Sequence, residues 1–252
     1  MSVWTVLLVA YVLYALSYSV VMARRGFWSP PAGEAKPSAA QIQRVLVIGA
    51  TGGTGRELVK QALEFGYEVT ALARDPAKLT LSHPRLKIVR GDVLEPTSLE
   101  AAVRGQDAVL SALGHRRLYV PSTLQSEGTR NALRAMETHG VRRFVCETAI
   151  GLGNSAGRLG LFATFFFIPL VLPIYFWDKS RQEQVIAASA LDWIIVRPGA
   201  LTNGARRGVY RHGVNVGSYI LTGMISRADV ADFMLRQLTD DRYVRRAPAI
   251  VW

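Results

Sequence analysis

The spacing of apolar and polar positions changes character at residue 49. "VLVI" (45–48) is an unbroken apolar run, long enough for a strand buried on both faces and too short for a helix. "GATGGTGRELV" follows, with Gly49, Gly52 and Gly55 three residues apart, and then an amphipathic stretch running to Gly66. The pattern predicts a strand, a tight glycine turn and a helix. The same alternation recurs down the chain, predicting strands at 45–49, 68–73, 86–90, 108–113, 143–148 and 193–197 with helices between them. Gly66 and Gly140 stand where a helix needs a left-handed residue at its C-terminal end. "ISRADVADFMLRQL" opens with Ser226 and Asp229 at capping-box spacing, which predicts one more helix, used for packing. Strand and helix in strict alternation imply right-handed crossovers and an α/β fold with a doubly wound parallel sheet.

Two apolar stretches break this rhythm. The first 23 residues carry no charged side chain and are followed at once by Arg24 and Arg25. A bilayer core takes about 20 apolar helical residues, so the segment predicts a transmembrane helix. A cleaved signal peptide is the competing reading, with 21–23 as a tolerable cleavage site, but the arginine pair lies on the downstream side and the start has no positive charge. An uncleaved anchor is favoured, holding its downstream side in the cytoplasm. The expected organisation is an anchor at 1–23, a Pro, Gly, Ser and Ala-rich linker at 24–43, and a folded domain at 44–252, so the protein is expected at a membrane, single-pass, with that domain cytoplasmic. The second stretch, 159–177, is also uncharged, but Pro169 and Pro173 argue against a straight spanning helix. Crossing there would also put strands of one sheet on opposite sides of the bilayer. It reads either as a buried helix or oligomer interface, or as an apolar insertion over the substrate end of the site that dips into the membrane surface.

Composition narrows the partners. Lys and Arg number 30 against 19 Asp and Glu, a net charge of +11. The arginines fall singly or in pairs, without dense basic runs or interleaved aromatics, so no nucleic acid is expected. A nucleotide phosphate and an anionic membrane face suit the charge better. The lone Cys146 excludes an internal disulfide, and the four histidines show no ligand spacing, so no metal is expected. Cys146 reads as a small apolar residue on a buried strand.

The glycine turn carries the chemistry. In such a loop the first glycine makes the turn, the second lets backbone approach a pyrophosphate, and the third packs the helix on the strand, whose free N–H groups then face an anion. Gly49, Thr51, Gly52, Gly53, Thr54 and Gly55 are therefore candidate dinucleotide ligands. "GATGGTGRELVKQALEFGYEVTALARDPAKL", "GDVLEP", "DAVLSALG" and "LDWIIVRPGALTNG" together resemble the atypical short-chain dehydrogenase/reductase superfamily, specifically its NmrA-like or NAD(P)H-binding branch, which includes the flavin and biliverdin reductase type. The resemblance runs from about Arg44 to the C-terminus and implies a Rossmann-type domain. That branch holds reductases, isomerase-like enzymes, redox sensors and assembly factors, so the fold alone does not decide the function.

After the second strand an NAD site usually presents a carboxylate to the ribose 2′-OH, whereas an arginine accommodates a 2′-phosphate. Arg74 holds that place, with Arg56 beyond the glycine loop as a second cation, so NADP(H) is expected over NAD(H). In the family pattern Asp92 and Val93 lie near the adenine, and Leu113 and Gly114 pass close to the nicotinamide ribose. The superfamily uses a Tyr as acid/base, a Lys four residues on, and a Ser or Thr after the fifth strand to orient the carbonyl. A phenol near pKa 10 is a poor base at neutral pH, and a nearby ammonium favours its ionised form. Tyr175, Lys179 and Thr148 match these positions. The prolines and aromatics upstream leave Tyr175 either on a helix or just ahead of one. Lys179 and Glu183 have the spacing of a helix-surface pair beside the cofactor, and His115 is an alternative proton donor.

Two functions follow. One is a membrane-anchored NADPH-dependent oxidoreductase passing a hydride to an apolar carbonyl, a quinone-like compound or a flavin. The other is a non-catalytic NADP(H)-binding redox sensor or assembly factor, with 159–177 as the surface for a membrane-protein partner.

Overall fold

A computed structural model describes residues 2–25, 41–114 and 120–252. Most of the linker at 24–43, and His115, lie outside the described residues. The expected strands form with small boundary changes: β1 (Arg44–Ile48), β2 (Glu68–Ala73), β3 (Leu86–Arg90), β4 (Ala108–Ser111), β5 (Arg143–Glu147) and β6 (Asp192–Pro198). Short strands follow at β7 (Ala200–Thr202), β8 (Arg211–Gly213), β9 (Met224–Ser226) and β10 (Ala249–Val251). Among the described residues one sheet of eight strands has the order β3-β2-β1-β4-β5-β6-β10-β8, and β7 pairs with β9 separately. All neighbours in the large sheet are parallel except β8, which runs antiparallel to β10 at the edge.

The apolar run of β1 shows why the sheet is covered on both faces. Val45 and Val47 enter one core with Leu58, Val59, Phe233 and Met234, while Leu46 and Ile48 enter the other with Leu99, Met136, Phe144 and Trp193. Those first partners belong to α2 (Gly53–Glu64) and α7 (Arg227–Arg236), which pack together on one face. The opposite face carries α3 (Pro96–Val103), α4 (Leu124–Thr138) and α6 (Pro173–Ala187). Gly66 and Gly140 adopt φ of 95° and 70°, the left-handed values the helix ends require. At the start of α7 the Ser226 hydroxyl accepts from the Asp229 amide at 2.9 Å, the expected cap.

The N-terminal helix, α1 (Val3–Arg25), is long and apolar enough to cross a membrane by length and composition. One side of it is docked on the domain. Residues 159–177 fold as a π-helical turn (Ala163–Phe167), the short α5 (Ile168–Val171) and the first turn of α6. Pro169 has no N–H to offer the Phe165 carbonyl four residues earlier, and Pro173 has none for Pro169. Tyr11 donates to Phe165 O at 2.5 Å and Tyr14 to Pro169 O at 2.9 Å, so α1 supplies both missing donors. Tyr18 adds a bond to Pro173 O at 2.9 Å, and Gln184 donates to Arg25 O at 2.6 Å. Met22 completes the contact by packing with Leu152, Ile168 and Phe176.

Candidate functional site

The strand order turns back between β1 and β4, and ligands of open α/β sheets bind beyond the carboxyl ends of the strands at such a point. The glycine loop lies there. Gly49 has φ 80°, and a Cβ on it would sit 2.5 Å from the Ala112 carbonyl at the end of β4. A Cβ on Gly55 would be 2.0 Å from the Gly49 carbonyl, so the first turn of α2 is pressed directly onto the loop. Gly52 caps α2 without any side chain, and Gly52 N donates to Gly49 O at 2.9 Å. A bare helix N-terminus closed by glycines fits a diphosphate, because no side chain competes for the first-turn N–H groups. Thr51 is partly exposed at the rim, but Thr54 is buried and donates its hydroxyl to Glu147 at 3.1 Å.

Arg74, just past β2, and Arg56, in the first turn of α2, are both exposed. Arg56 donates to the Lys78 carbonyl at 3.1 Å, which ties it to the loop after β2. Asp75, the nearby carboxylate, is paired with Lys78 at 3.2 Å. Beyond β3, Asp92 accepts from the Leu94 amide at 3.0 Å, while Val93 is buried and its carbonyl accepts from Asn131 at 3.1 Å. Leu113 is buried and Gly114 exposed after β4, with nothing near the place a Gly114 Cβ would take.

Tyr175 lies on α6, in the first turn opened by Pro173, and not ahead of the helix. Lys179 is one turn further on and only 2% exposed. Its ammonium stands over the face of the Tyr175 ring, 5.4 Å from the centroid, and donates to the Glu147 carbonyl at 3.5 Å. An ammonium has three donors, and a single long bond leaves this one with capacity for a ligand. Burial alone would depress the Lys179 pKa, but Tyr175, Glu147, Cys146 and Glu183 outweigh it and raise the value. Lys179 is therefore a cation at neutral pH. Burial raises Glu147, offset in part by Lys179, Thr54 and Arg227. Burial also pushes the Cys146 thiol up to about 12, so Cys146 is the inert strand residue expected of it.

The pairing of Lys179 with Glu183 on a helix surface is corrected by the structure. Glu183 is 1% exposed and binds the guanidinium of Arg197 at 2.9 and 2.7 Å. Its carboxylate also accepts from the Thr148 hydroxyl at 2.7 Å, so the Thr148 proton points to Glu183 while the oxygen keeps its lone pairs. Asp178 holds α6 in place by accepting from the Gln125 and Ser126 amides at 2.9 and 3.3 Å, capping α4 from a neighbouring helix.

Sequence reasoning missed Arg227. Its Cδ and Nε lie 2.5 and 2.6 Å from where a Gly53 Cβ would stand, so the arginine stem rests on the glycine loop, and its guanidinium donates to Asn203 at 2.7 Å. Only its place directly after the Ser226 cap could have hinted at this. Glu147 was equally silent, since nothing in "CETAIG" says that its carboxylate reaches across to Thr54.

Residues 49–241 match the profile of a family described as NAD(P)H-binding. An uncharacterised chloroplastic protein of Arabidopsis thaliana is 36% identical over 68% of this chain and 63% of its own length. The photosystem II assembly factor Ycf39 of Synechocystis is 27% identical over 82% of this chain and 62% of its own. The chain thus spans a little under two thirds of the length of these relatives. Among solved structures, ChuY, an anaerobillin reductase from Escherichia coli O157:H7, superposes with a TM-score of 0.69 at 23% identity, covering 83% of this chain and 97% of its own, a likeness of fold.

Proposed function

Because the chain belongs to the NAD(P)H-binding family, we propose that it is a membrane-anchored, NADPH-dependent reductase of apolar acceptors. When bound, the dinucleotide supplies a hydride for an apolar carbonyl, a quinone-like compound or a flavin. The first-turn N–H groups of α2 hold the diphosphate between Gly49, Gly52 and Gly55, and Arg74 with Arg56 takes the 2′-phosphate. Asp92 and Val93 flank the adenine, and Leu113 and Gly114 the nicotinamide ribose. Lys179 donates to that ribose, Tyr175 delivers the proton, and the Thr148 oxygen, held by Glu183, orients the acceptor. The helix α1 crosses the bilayer with the domain on the cytoplasmic side, and 159–177 meets the membrane surface.

The observation that carries this reading is Lys179, an ammonium buried one turn from Tyr175 at the end of β5 with donor capacity to spare. Titrating the purified chain with NADPH and NADH, following energy transfer from tryptophan, tests the cofactor half. NADPH binds more tightly by about tenfold or more, and Arg74→Ala removes the difference. Quinones, flavins and aldehydes then test turnover, which Tyr175→Phe and Lys179→Ala lower by about 100-fold or more. Turnover that survives both substitutions removes the proton-transfer assignment. The likeness to an assembly factor favours a second reading, an NADP(H)-binding scaffold for a membrane complex. That reading prevails if nucleotide binds and no acceptor is reduced.

A further inference from the structure

A cavity of about 270 Å³ lies between α1 and the domain. Leu16, Val20 and Ala23 of α1 form one wall, and Ala156, Phe165 and Phe176 are among the residues of the other. It is larger than the roughly 150 Å³ apolar cavity that suffices to bind benzene.

Three features say what it holds. The first is chemical: its polar side chains are already engaged. Tyr18 donates to Pro173 O at 2.9 Å, Ser19 to Thr164 O at 3.4 Å, and Thr164 to Gly160 O at 2.8 Å, so the lining presents carbon to an occupant. The second is the mouth. Leu16 and Val20, which line the cavity, are also 46% and 49% exposed on the outer side of α1, so the opening faces the side on which Val9, Val12 and Leu13 are bare. The third is the floor. Met22, Ile168 and Phe176 of the lining belong to the apolar cluster on which Tyr175 packs, so the inner end borders a candidate catalytic residue.

We propose that this cavity is a binding site for a single hydrocarbon chain, built jointly by α1 and the domain and entered sideways from the lipid around α1. With the reductase reading, on which this last step rests, the chain is the tail of the acceptor, and the helix that anchors the protein is also a wall of its substrate site.

The test uses the full-length chain in phosphatidylcholine nanodiscs and a sixteen-carbon alcohol bearing a mid-chain diazirine. Photolabelling places adducts on the peptide containing Ala156 as well as on the outer side of α1. Ala156→Phe and Ala23→Phe, which fill the cavity from opposite walls, each abolish the inner adduct and leave the outer ones, with unchanged circular dichroism showing that the variants fold. In parallel, NADPH oxidation is followed with a benzoquinone and with the same ring carrying a decyl chain. The chain lowers KM by about tenfold or more, and both variants erase that advantage without changing turnover of the bare ring. Inner adducts that are absent, or that persist in both variants, overturn the site. Inner adducts lost in the variants, with neither quinone reduced, uphold the hydrocarbon site and remove the reductase reading instead.

Discussion

Replacing Glu183 with alanine strips the partner from a guanidinium that has no exposure at all. Arg197 is 0% exposed and donates two bonds to Glu183, with a further contact to Asn154, while the Thr148 hydroxyl donates the third bond to the carboxylate. Removing one member of a buried ion pair costs about 3–5 kcal/mol, because the remaining charge stays desolvated. At roughly 2–4 °C per kcal/mol for a chain of this size, the midpoint falls by on the order of 10 °C. Glu183→Gln keeps one acceptor oxygen and falls between Glu183→Ala and wild type. The decisive comparison is a double-mutant cycle with Arg197→Met, read by denaturant unfolding. Arg197→Met in the Glu183→Ala background removes the orphaned charge, so the pair of changes is less damaging than the sum of the single ones by about 1–3 kcal/mol. A Glu183→Ala cost under about 1 kcal/mol, or strict additivity, would show that the pair is hydrated and that Thr148 is not held as described.

Gly55→Ala drives a methyl to within 2.0 Å of the Gly49 carbonyl, backbone against backbone, so nucleotide binding weakens by roughly tenfold to a hundredfold. Gly114→Ala meets nothing within 4 Å and leaves the unfolding midpoint unmoved, which makes it the control. Asp229 accepts from the Gly208 and Arg207 amides, the Ser226 hydroxyl and the Trp252 indole. Burial works to raise its pKa, but those four donors prevail and hold it below the ordinary carboxylate value. A depressed folded pKa contributes stability that is complete above the unfolded value, near 4, and is lost as pH falls through the folded one. Denaturation at pH 7 and pH 3 therefore shows a smaller acid loss in Asp229→Asn than in wild type, and equal losses refute the assignment. Tyr14→Phe leaves the Pro169 carbonyl without its donor and loosens α1 by about 1–2 kcal/mol, read as faster proteolysis between α1 and the domain; an unchanged rate means that the carbonyl finds water.

The strands β1 to β6 were legible because a strand buried on both faces must be apolar throughout, and Gly66 and Gly140 marked helix ends whose left-handed φ admits few other residues. The three-residue strands β7 to β10 were not, since runs so short carry no period, and β8 ("RHG") is a polar edge held by its pairing with β10. Within the site the glycine cradle could be read because it is local. The contacts of Glu183 and Arg197, of Glu147 and Thr54, and of Arg227 with Gly53 join residues 14, 93 and 174 positions apart, and only the fold brings them together. Glu183 was misplaced on a surface for the same reason. Its four-residue spacing from Lys179 is a helix property, whereas its partner lies on β6.

The tyrosines of α1 change what the two prolines of 159–177 mean. A carbonyl without a donor is tolerable in water and expensive in hydrocarbon, which is why proline-broken segments avoid lipid unless something else satisfies the backbone. Here Tyr11 and Tyr14 supply that something, and they do so from the middle of the one helix among the described residues that is long and apolar enough to cross a bilayer. Tyr11 lies 14 residues before Arg25, about 21 Å along the axis. On the anchored reading proposed above, an upright α1 with Arg25 at the lipid surface would carry the π-helical turn about two thirds of the way into a hydrocarbon core of about 30 Å, so contact of 159–177 with the membrane surface requires a tilted α1. Phe162 and Phe166 suit that depth, exposed by 71% and 48% and stacked on one another at 5.7 Å. A tilted α1 brings the same turn closer to the surface by the same geometry, so the tilt of the helix and the depth of the insertion are one variable. Arg25, stacked on Trp177 at 3.4 Å, marks the level at which the apolar hairpin gives way to the charged domain.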